Sequence, residues 1–170
     1  MKITLATAIP EDSKALADLM NDKAIYQEFL KGGAYTQETA HNEIDFFRSK
    51  KKNLNPEHFF ILIKLTKKVL LFEKTEVIGF ISNRKVSDID SHYCGFTTSI
   101  HFGIKSKYRN QGRMTEALYR LMNGFMKSRG IRQVNAYVLF KNVASQKVLN
   151  KLGFVCVGKS FEGFSFTKYL

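Results

Sequence analysis

Apolar positions recur along this chain with two periods, and the changes between them mark out its elements. From Arg113 onward, Met114, Ala117, Leu118, Leu121, Met122 and Phe125 fall at i, i+3, i+4, i+7, i+8 and i+11, one stripe along a long helix. Ala15, Leu16, Leu19 and Met20 form the inward face of an earlier helix, opened by Pro10, Glu11, Asp12 and Ser13, residues suited to a first turn. A shorter segment from Ile25 to Leu30 breaks at Gly32-Gly33. Thr36 is placed to cap a further helix through about Lys52, with Ala40, Ile44 and Phe47 on its apolar side. Strands are expected over Ile3 to Ile9, Phe59 to Leu65, Val77 to Ser82, Ser99 to Ile104, Ile131 to Phe140, Phe154 to Val157 and Phe164 to Tyr169. Lys67-Lys68 predicts an interruption, which makes Val69 to Phe72 a hairpin partner or an extension of the strand before it. Arg84 to Ser91 is polar and reads as a loop. Asn142 stands at a natural N-cap for a helix that stops at Leu152-Gly153-Phe154.

With 170 residues and neither repeat nor linker, the chain is expected to be one domain over residues 1–170. A chain of that length buries ~70% of its unfolded surface. A hydrophobic content of 44% with 25% charged residues is ordinary for a globular protein. No apolar run approaches the ~20 residues that span a bilayer, and the amino end reads as a first strand, not a secretory signal. Cys94 and Cys156 are far apart and unpatterned, which suits a reducing cytoplasm. The 27 Lys and Arg against 15 Asp and Glu give a formal charge of +12. Such a field draws in an anion (a nucleotide cofactor, an acidic acceptor or nucleic acid) or serves solubility alone. No RNA- or DNA-reading signature accompanies it.

Chemistry concentrates in the basic turn from Lys105 to Gly112, between a strand and the long helix. Arg109, Asn110, Gln111, Gly112 and Arg113 set backbone N–H groups and two guanidiniums at a helix start, which carries unpaired donors and about half a positive charge. Phosphate binds well there, and Gly112 lets a backbone approach an anion closely. By themselves these residues fit an ordinary strand–helix connection equally well. Thirty residues past Gly112, Asn142 opens the second strand-to-helix junction, FKNVASQKVLNKLGF.

YRNQGRMTEAL followed by NVASQKVLNKLGF resembles the acetyl-CoA-binding core of the GNAT superfamily of N-acetyltransferases, in the style of the ribosomal-protein N-terminal acetyltransferases. Arg109, Gly112, Asn142, Gly153 and Phe154 fall in the order and spacing of that pattern. The resemblance implies an α+β fold: a mixed, mostly antiparallel sheet of about seven strands, flanked by helices, with the Ser99–Ile104 and Arg132–Leu139 strands parallel and splayed. It implies acetyl-CoA as cosubstrate and direct attack by a primary amine on the thioester. A pyrophosphate cradle then maps onto Arg109, Asn110, Gln111, Gly112, Arg113 and Met114. The pantetheine arm maps onto the main chain of Phe102, Gly103 and Ile104, and onto Asn142, which serves equally as a helix cap. The chain departs from the pattern at Met114, where Gly or Ala is usual and crowding of the pyrophosphate is expected. It departs at Leu149, where many members carry an acidic Tyr, and at Ser99, where a carboxylate often serves as base.

His101 shares a strand face with Ser99 and is a candidate base, its ordinary pKa lying near neutrality; a His hydrogen-bonded within the sheet is the plainer reading. Ser145 or Tyr137 is a candidate proton donor. A weak base favours a weakly basic acceptor: a peptide α-amine with pKa ~7.8 is roughly 10–15% deprotonated at pH 7, a Lys side chain only about 0.04%. A peptide or protein N-terminus is thus the first expectation for the acceptor, and a small amine the second. Nucleic acid is expected only incidentally, by way of the ribosome. The rival from another class is an inactive CoA-binding or nucleic-acid-binding module. His and Cys lack metal-type spacing, so no metal is expected. Monomer and homodimer both remain open.

Overall fold

The computed structural model describes residues 1–29, 34–52, 59–70, 72–84 and 96–170. The Gly32-Gly33 break, His58, His92, Cys94 and the polar segment 85–91 lie outside them.

Seven strands, β1 (Lys2–Thr7), β2 (Phe60–Val69), β3 (Phe72–Arg84), β4 (Phe96–Ile104), β5 (Ile131–Leu139), β6 (Val155–Lys159) and β7 (Gly163–Tyr169), form a mixed sheet in the order β1-β2-β3-β4-β5-β7-β6. Five α-helices accompany them among the described residues: α1 (Ser13–Met20), α2 (Lys23–Phe29), α3 (Gln37–Lys52), α4 (Arg113–Leu121) and α5 (Val143–Lys151). The expected α+β class with one parallel pair is therefore the observed one. The chain divides into two compact units, Met1–Ser82 with Phe102–Met114, and Asn83–His101 with Thr115–Leu170.

In the first unit, α1, α2 and α3 bury Leu16, Leu19, Ile25, Ala40 and Ile44 in a core with Phe60, Leu62 and Phe80. Each fully buried Leu or Ile contributes about 1.5–3 kcal/mol. Phe60 and Phe80 stack at 5.6 Å, with Phe29 and Phe47 edge-on at 5.3 Å. A 3₁₀ turn at Pro10–Asp12 precedes α1, and Asp12 reaches Lys64 at 2.7 Å. Thr36 caps α3 by accepting from the Thr39 N–H at 3.1 Å.

Strand β2 corrects the sequence reading. It continues through Lys67-Lys68, which pair across the hairpin with Lys74 and Glu73. Toward the end of a hairpin a charged side chain extends into water while its backbone stays in the ladder, so two lysines do not end a strand.

In the second unit, β5 pairs with β7 and β7 with β6, all antiparallel. From Thr115 onward, helix α4 buries Ala117, Leu118 and Leu121 as its stripe predicts. It then widens into a π turn at Met122–Met126, and this second correction carries Met126 to full burial in place of the half-buried Phe125. A π turn adds a residue to the helical repeat and shifts the phase of the stripe beyond it.

Candidate active site

Strand β4 is parallel to β5, and the ladder ends early. Its last rung is Ser99↔Asn135, although β4 runs on to Ile104 and β5 to Leu139. Beyond that rung the register of the two strands does not continue into Ile100. This is the parting of strands expected from the sequence, and it leaves backbone groups that need other partners.

Beside the parting lies a cavity of about 400 Å³, wholly within the second unit. Ser99 and His101 of β4, Gln133, Asn135 and Tyr137 of β5, and Ser165 and Thr167 of β7 give its polar lining. The candidate base His101 and the candidate donor Tyr137 thus come together, with Ser99 beside them. Ser145 does not line the cavity; it sits in the first turn of α5, where its N–H donates to the Asn142 side chain at 3.1 Å. The Tyr137 hydroxyl meets Ser160 Oγ at 2.8 Å in the β6–β7 turn. Its ring lies so close over Gly163 that a Cβ there would stand 2.9 Å from it and would clash with the Val138 carbonyl oxygen. Sequence reasoning missed Gln133, Asn135, Ser165 and Thr167. The two-residue alternation of β5 and β7 placed each of them on a face, but the face they share exists only once β4, β5 and β7 are adjacent.

In the first unit, β4 runs into the basic turn. A 3₁₀ turn at Ser106–Tyr108 is followed by two left-handed residues, Asn110 at φ 58° and Gly112 at φ 72°, and then by α4. No atom lies within 4 Å of where a Cβ on Gly112 would stand, so the backbone there is open to an approaching group. Such turns leading into a helix start make concavities of N–H groups that hold anions. Arg109 Nε donates to the Ile104 carbonyl oxygen at 3.4 Å, and Arg113 Nε to Gln111 Oε1 at 2.9 Å. Asn142 accepts one hydrogen bond as the cap of α5. The Met114 side chain is buried. Phe102 and Ile104 turn their side chains into the interior, while a Cβ on Gly103 would stand 2.8 Å from the Phe80 ring.

Carboxylates brace this turn. Lys105 and Lys107 both reach Glu76 Oε1, at 3.2 and 2.9 Å, and the Tyr108 hydroxyl donates to Oε2 at 2.6 Å. Burial raises the Glu76 pKa, but the hydrogen bonds from Lys107, Tyr108 and Lys105 outweigh it and hold the carboxyl down at about 2. Asp22 accepts from the Ser106 hydroxyl at 2.8 Å and from the Ser106 N–H at 3.2 Å. There too burial pushes upward, and these bonds win, lowering the pKa. Lys67, Lys107 and Arg113 stand 5.5, 5.0 and 5.2 Å from the Tyr108 ring centre. The turn residues therefore fit a diphosphate in chemistry: a shaped backbone, two guanidiniums and a helix start.

The sequence profile of the acetyltransferase (GNAT) domain matches residues 2–155. The chain belongs to the GNAT acetyltransferase family. GNAT members draw the acetyl group from acetyl-CoA, and this chain is accordingly an acetyl-CoA-dependent N-acetyltransferase. No curated protein matches it significantly in sequence. Solved structures do match in fold. The ribosomal-protein-S5-alanine acetyltransferase of Vibrio fischeri superposes with a TM-score of 0.77 at 16% identity, covering 99% of this chain and 93% of its own. RimL, a ribosomal L7/L12 alpha-N-protein acetyltransferase solved with coenzyme A, gives 0.77 at 18% identity, over 100% and 95%. The microcin C7 self immunity acetyltransferase MccE, solved with acetyl-CoA and AMP, gives 0.73 at 19% identity, over 99% and 93%. Among the described residues no group of three His, Cys, Asp or Glu is placed to hold a metal, and no helix is long and apolar enough to cross a membrane.

Proposed function

We propose that this GNAT enzyme acetylates the α-amine of a peptide or protein N-terminus, as the ribosomal-protein enzymes it resembles in fold do by name. The observation that carries the reading is the lining of the cavity beside the β4–β5 parting: among the described residues, His101 is its one group suited to take a proton near neutrality, and no carboxylate lines it. A base of that strength suits an amine that is already partly unprotonated at pH 7, and a peptide α-amine qualifies while a Lys side chain does not.

In this reading Arg109, Asn110, Gln111, Gly112, Arg113 and Met114 hold the pyrophosphate by backbone N–H groups and guanidiniums. The main chain of Phe102, Gly103 and Ile104 holds the pantetheine amides. The acceptor's nitrogen attacks the thioester carbonyl carbon, and a backbone N–H of β4 steadies the developing oxyanion. His101 takes the proton that the amine loses. As the carbon–sulfur bond breaks, the CoA sulfur leaves as a thiolate, which suits a thiol of pKa ~8.5; Tyr137, or Ser145 through water, returns a proton to it. Ser99 completes the wall beside His101. A cytoplasmic location belongs with this reading, as acetyl-CoA and new protein N-termini meet there.

The test is a thiol-release assay across peptides with free N-termini, polyamines, amino sugars and Lys-containing peptides blocked at the N-terminus. Release with the free N-termini at a kcat/KM at least about tenfold above the rest is expected. Saturable acetyl-CoA binding without thiol release for any acceptor would reduce the chain to a binding module.

A further inference from the structure

We infer that Gln133, Asn135 and Thr167 form a specificity subsite, which grips a peptide group of the acceptor by its carbonyl oxygen and N–H. The inference rests on the N-terminal acetyltransferase reading and narrows it to acceptors with a backbone amide next to the reacting amine.

The hydrogen-bond network is the first support. The Asn135 side-chain oxygen accepts from Gln133 Nε2 at 3.0 Å and from Thr167 Oγ1 at 2.8 Å. An amide oxygen has two lone pairs, and both are used, so the Asn135 NH₂ is left to donate elsewhere while Gln133 keeps its own oxygen for accepting. Among the described residues no sealed side-chain nitrogen or oxygen lacks a partner, so these remaining groups are accessible, and both residues line the cavity. A donor and an acceptor side by side match the C=O and N–H of a peptide unit.

Charge is the second support. Among the described residues the cavity lining contains neither Asp nor Glu, and the whole chain carries +12. A polyamine or amino sugar bound there would hold its additional cations against a neutral wall in a repelling field, without counter-charges. A peptide presents one amine and then uncharged backbone. The third support is position. His101 lines the same cavity, so a peptide unit gripped on β5 and β7 shares its space with the group proposed to take the amine's proton.

The experiment uses the intact chain, with steady-state kinetics and calorimetry of acetyl-CoA binding. The probes are a short uncharged peptide amide with a free N-terminus, its depsipeptide analogue in which an ester oxygen replaces the first peptide N–H, and spermidine. Asn135→Leu is expected to raise the KM for the peptide about tenfold or more, the effect of stranding a buried hydrogen-bonding group. Acetyl-CoA affinity is expected to stay within about twofold, since these residues lie outside the proposed cosubstrate contacts. Thr167→Val, which keeps the shape and removes the hydroxyl, is expected to raise KM about three- to fivefold. The wild-type enzyme is expected to use the depsipeptide less well than the peptide. Peptide turnover by the wild type, with KM unmoved in both variants and acetyl-CoA binding intact, would overturn the subsite and leave the broader reading standing. Turnover of spermidine but of no peptide would overturn the broader reading, and the subsite with it. Should Asn135→Leu lose acetyl-CoA binding through misfolding, Thr167→Val and the depsipeptide decide, and equal KM values there overturn the proposal.

Discussion

In the turn from Lys105 to Met114, four of ten residues are cationic, and Glu76 and Asp22 reach in from distant parts of the same unit to fix its shape. Among the described residues on the cavity walls of the second unit no side chain carries a carboxylate, and amides and hydroxyls hold one another instead. Each arrangement suits a different guest. A polyanion is met by charges and backbone N–H groups that exist before it arrives, which cuts the cost of organising them on binding. In the proposed reading, an acceptor with one weak cation is met by neutral groups that discriminate through directional hydrogen bonds, because an unpaired buried partner is penalised. Charge, in that reading, serves capture in one region, and hydrogen-bond geometry serves selection in the other.

The sharpest way to break this contrast is Gly112→Asp. It places a carboxylate in the open backbone of the turn and forces a side chain onto φ 72°, so acetyl-CoA affinity should fall more than about 100-fold by calorimetry. Gly112→Ala supplies the control: the strain alone costs about 1–2 kcal/mol of stability and should weaken binding far less. Unchanged affinity in the Asp variant would remove the diphosphate from this turn.

His101→Ala addresses the other region. If His101 takes the amine's proton, kcat/KM for a peptide acceptor should drop about 100-fold near pH 7, with the deficit shrinking as pH rises and the amine deprotonates unaided. An identical pH profile would strike His101 from the mechanism. Tyr137→Phe should have a smaller effect. It keeps the ring over Gly163 and loses the bond to Ser160, so a role in protonating the thiolate predicts about a tenfold loss in kcat. Packing alone predicts an unchanged kcat and about 1 kcal/mol less stability.

Glu76→Gln gives the smallest effect, and it appears in stability. The Glu76 carboxyl is held down at about 2 from an ordinary value of 4.5. Its stabilising contribution is therefore complete above pH 4.5 and is lost as pH falls toward 2. In denaturant titrations wild type and variant should differ at pH 6 and converge by about pH 2. A gap that stays constant across that window would show that the lowered pKa does not couple to folding.

How much of this was legible before the structure depended on range along the chain. The α4 stripe, the Asn142 cap and the Lys105–Gly112 turn are local patterns, in which neighbours a few residues apart decide the outcome, and they stand where expected. The brace was not legible, since Glu76 lies 29 residues before Lys105 and nothing local marks it. Nor was the cavity face, which needs strands β4, β5 and β7 side by side. The Phe125-to-Met126 exchange escaped because a helical period of 3.6 was assumed where the backbone widens. At Lys67-Lys68 the side chains were given a weight that belongs to the hydrogen-bonded ladder.

Gly79 and Gly103 hold a further lesson for anyone wishing to retool this enzyme. A methyl on Gly79 would come within 2.6 Å of the Gly103 carbonyl oxygen, and one on Gly103 within 2.8 Å of the Phe80 ring. Libraries randomised at these two codons should yield mostly unfolded clones, whatever acceptor is selected for. Diversity is better invested at Gln133, Asn135 and Ser165, whose side chains are only half-buried and leave room for new shapes without disturbing the scaffold behind them.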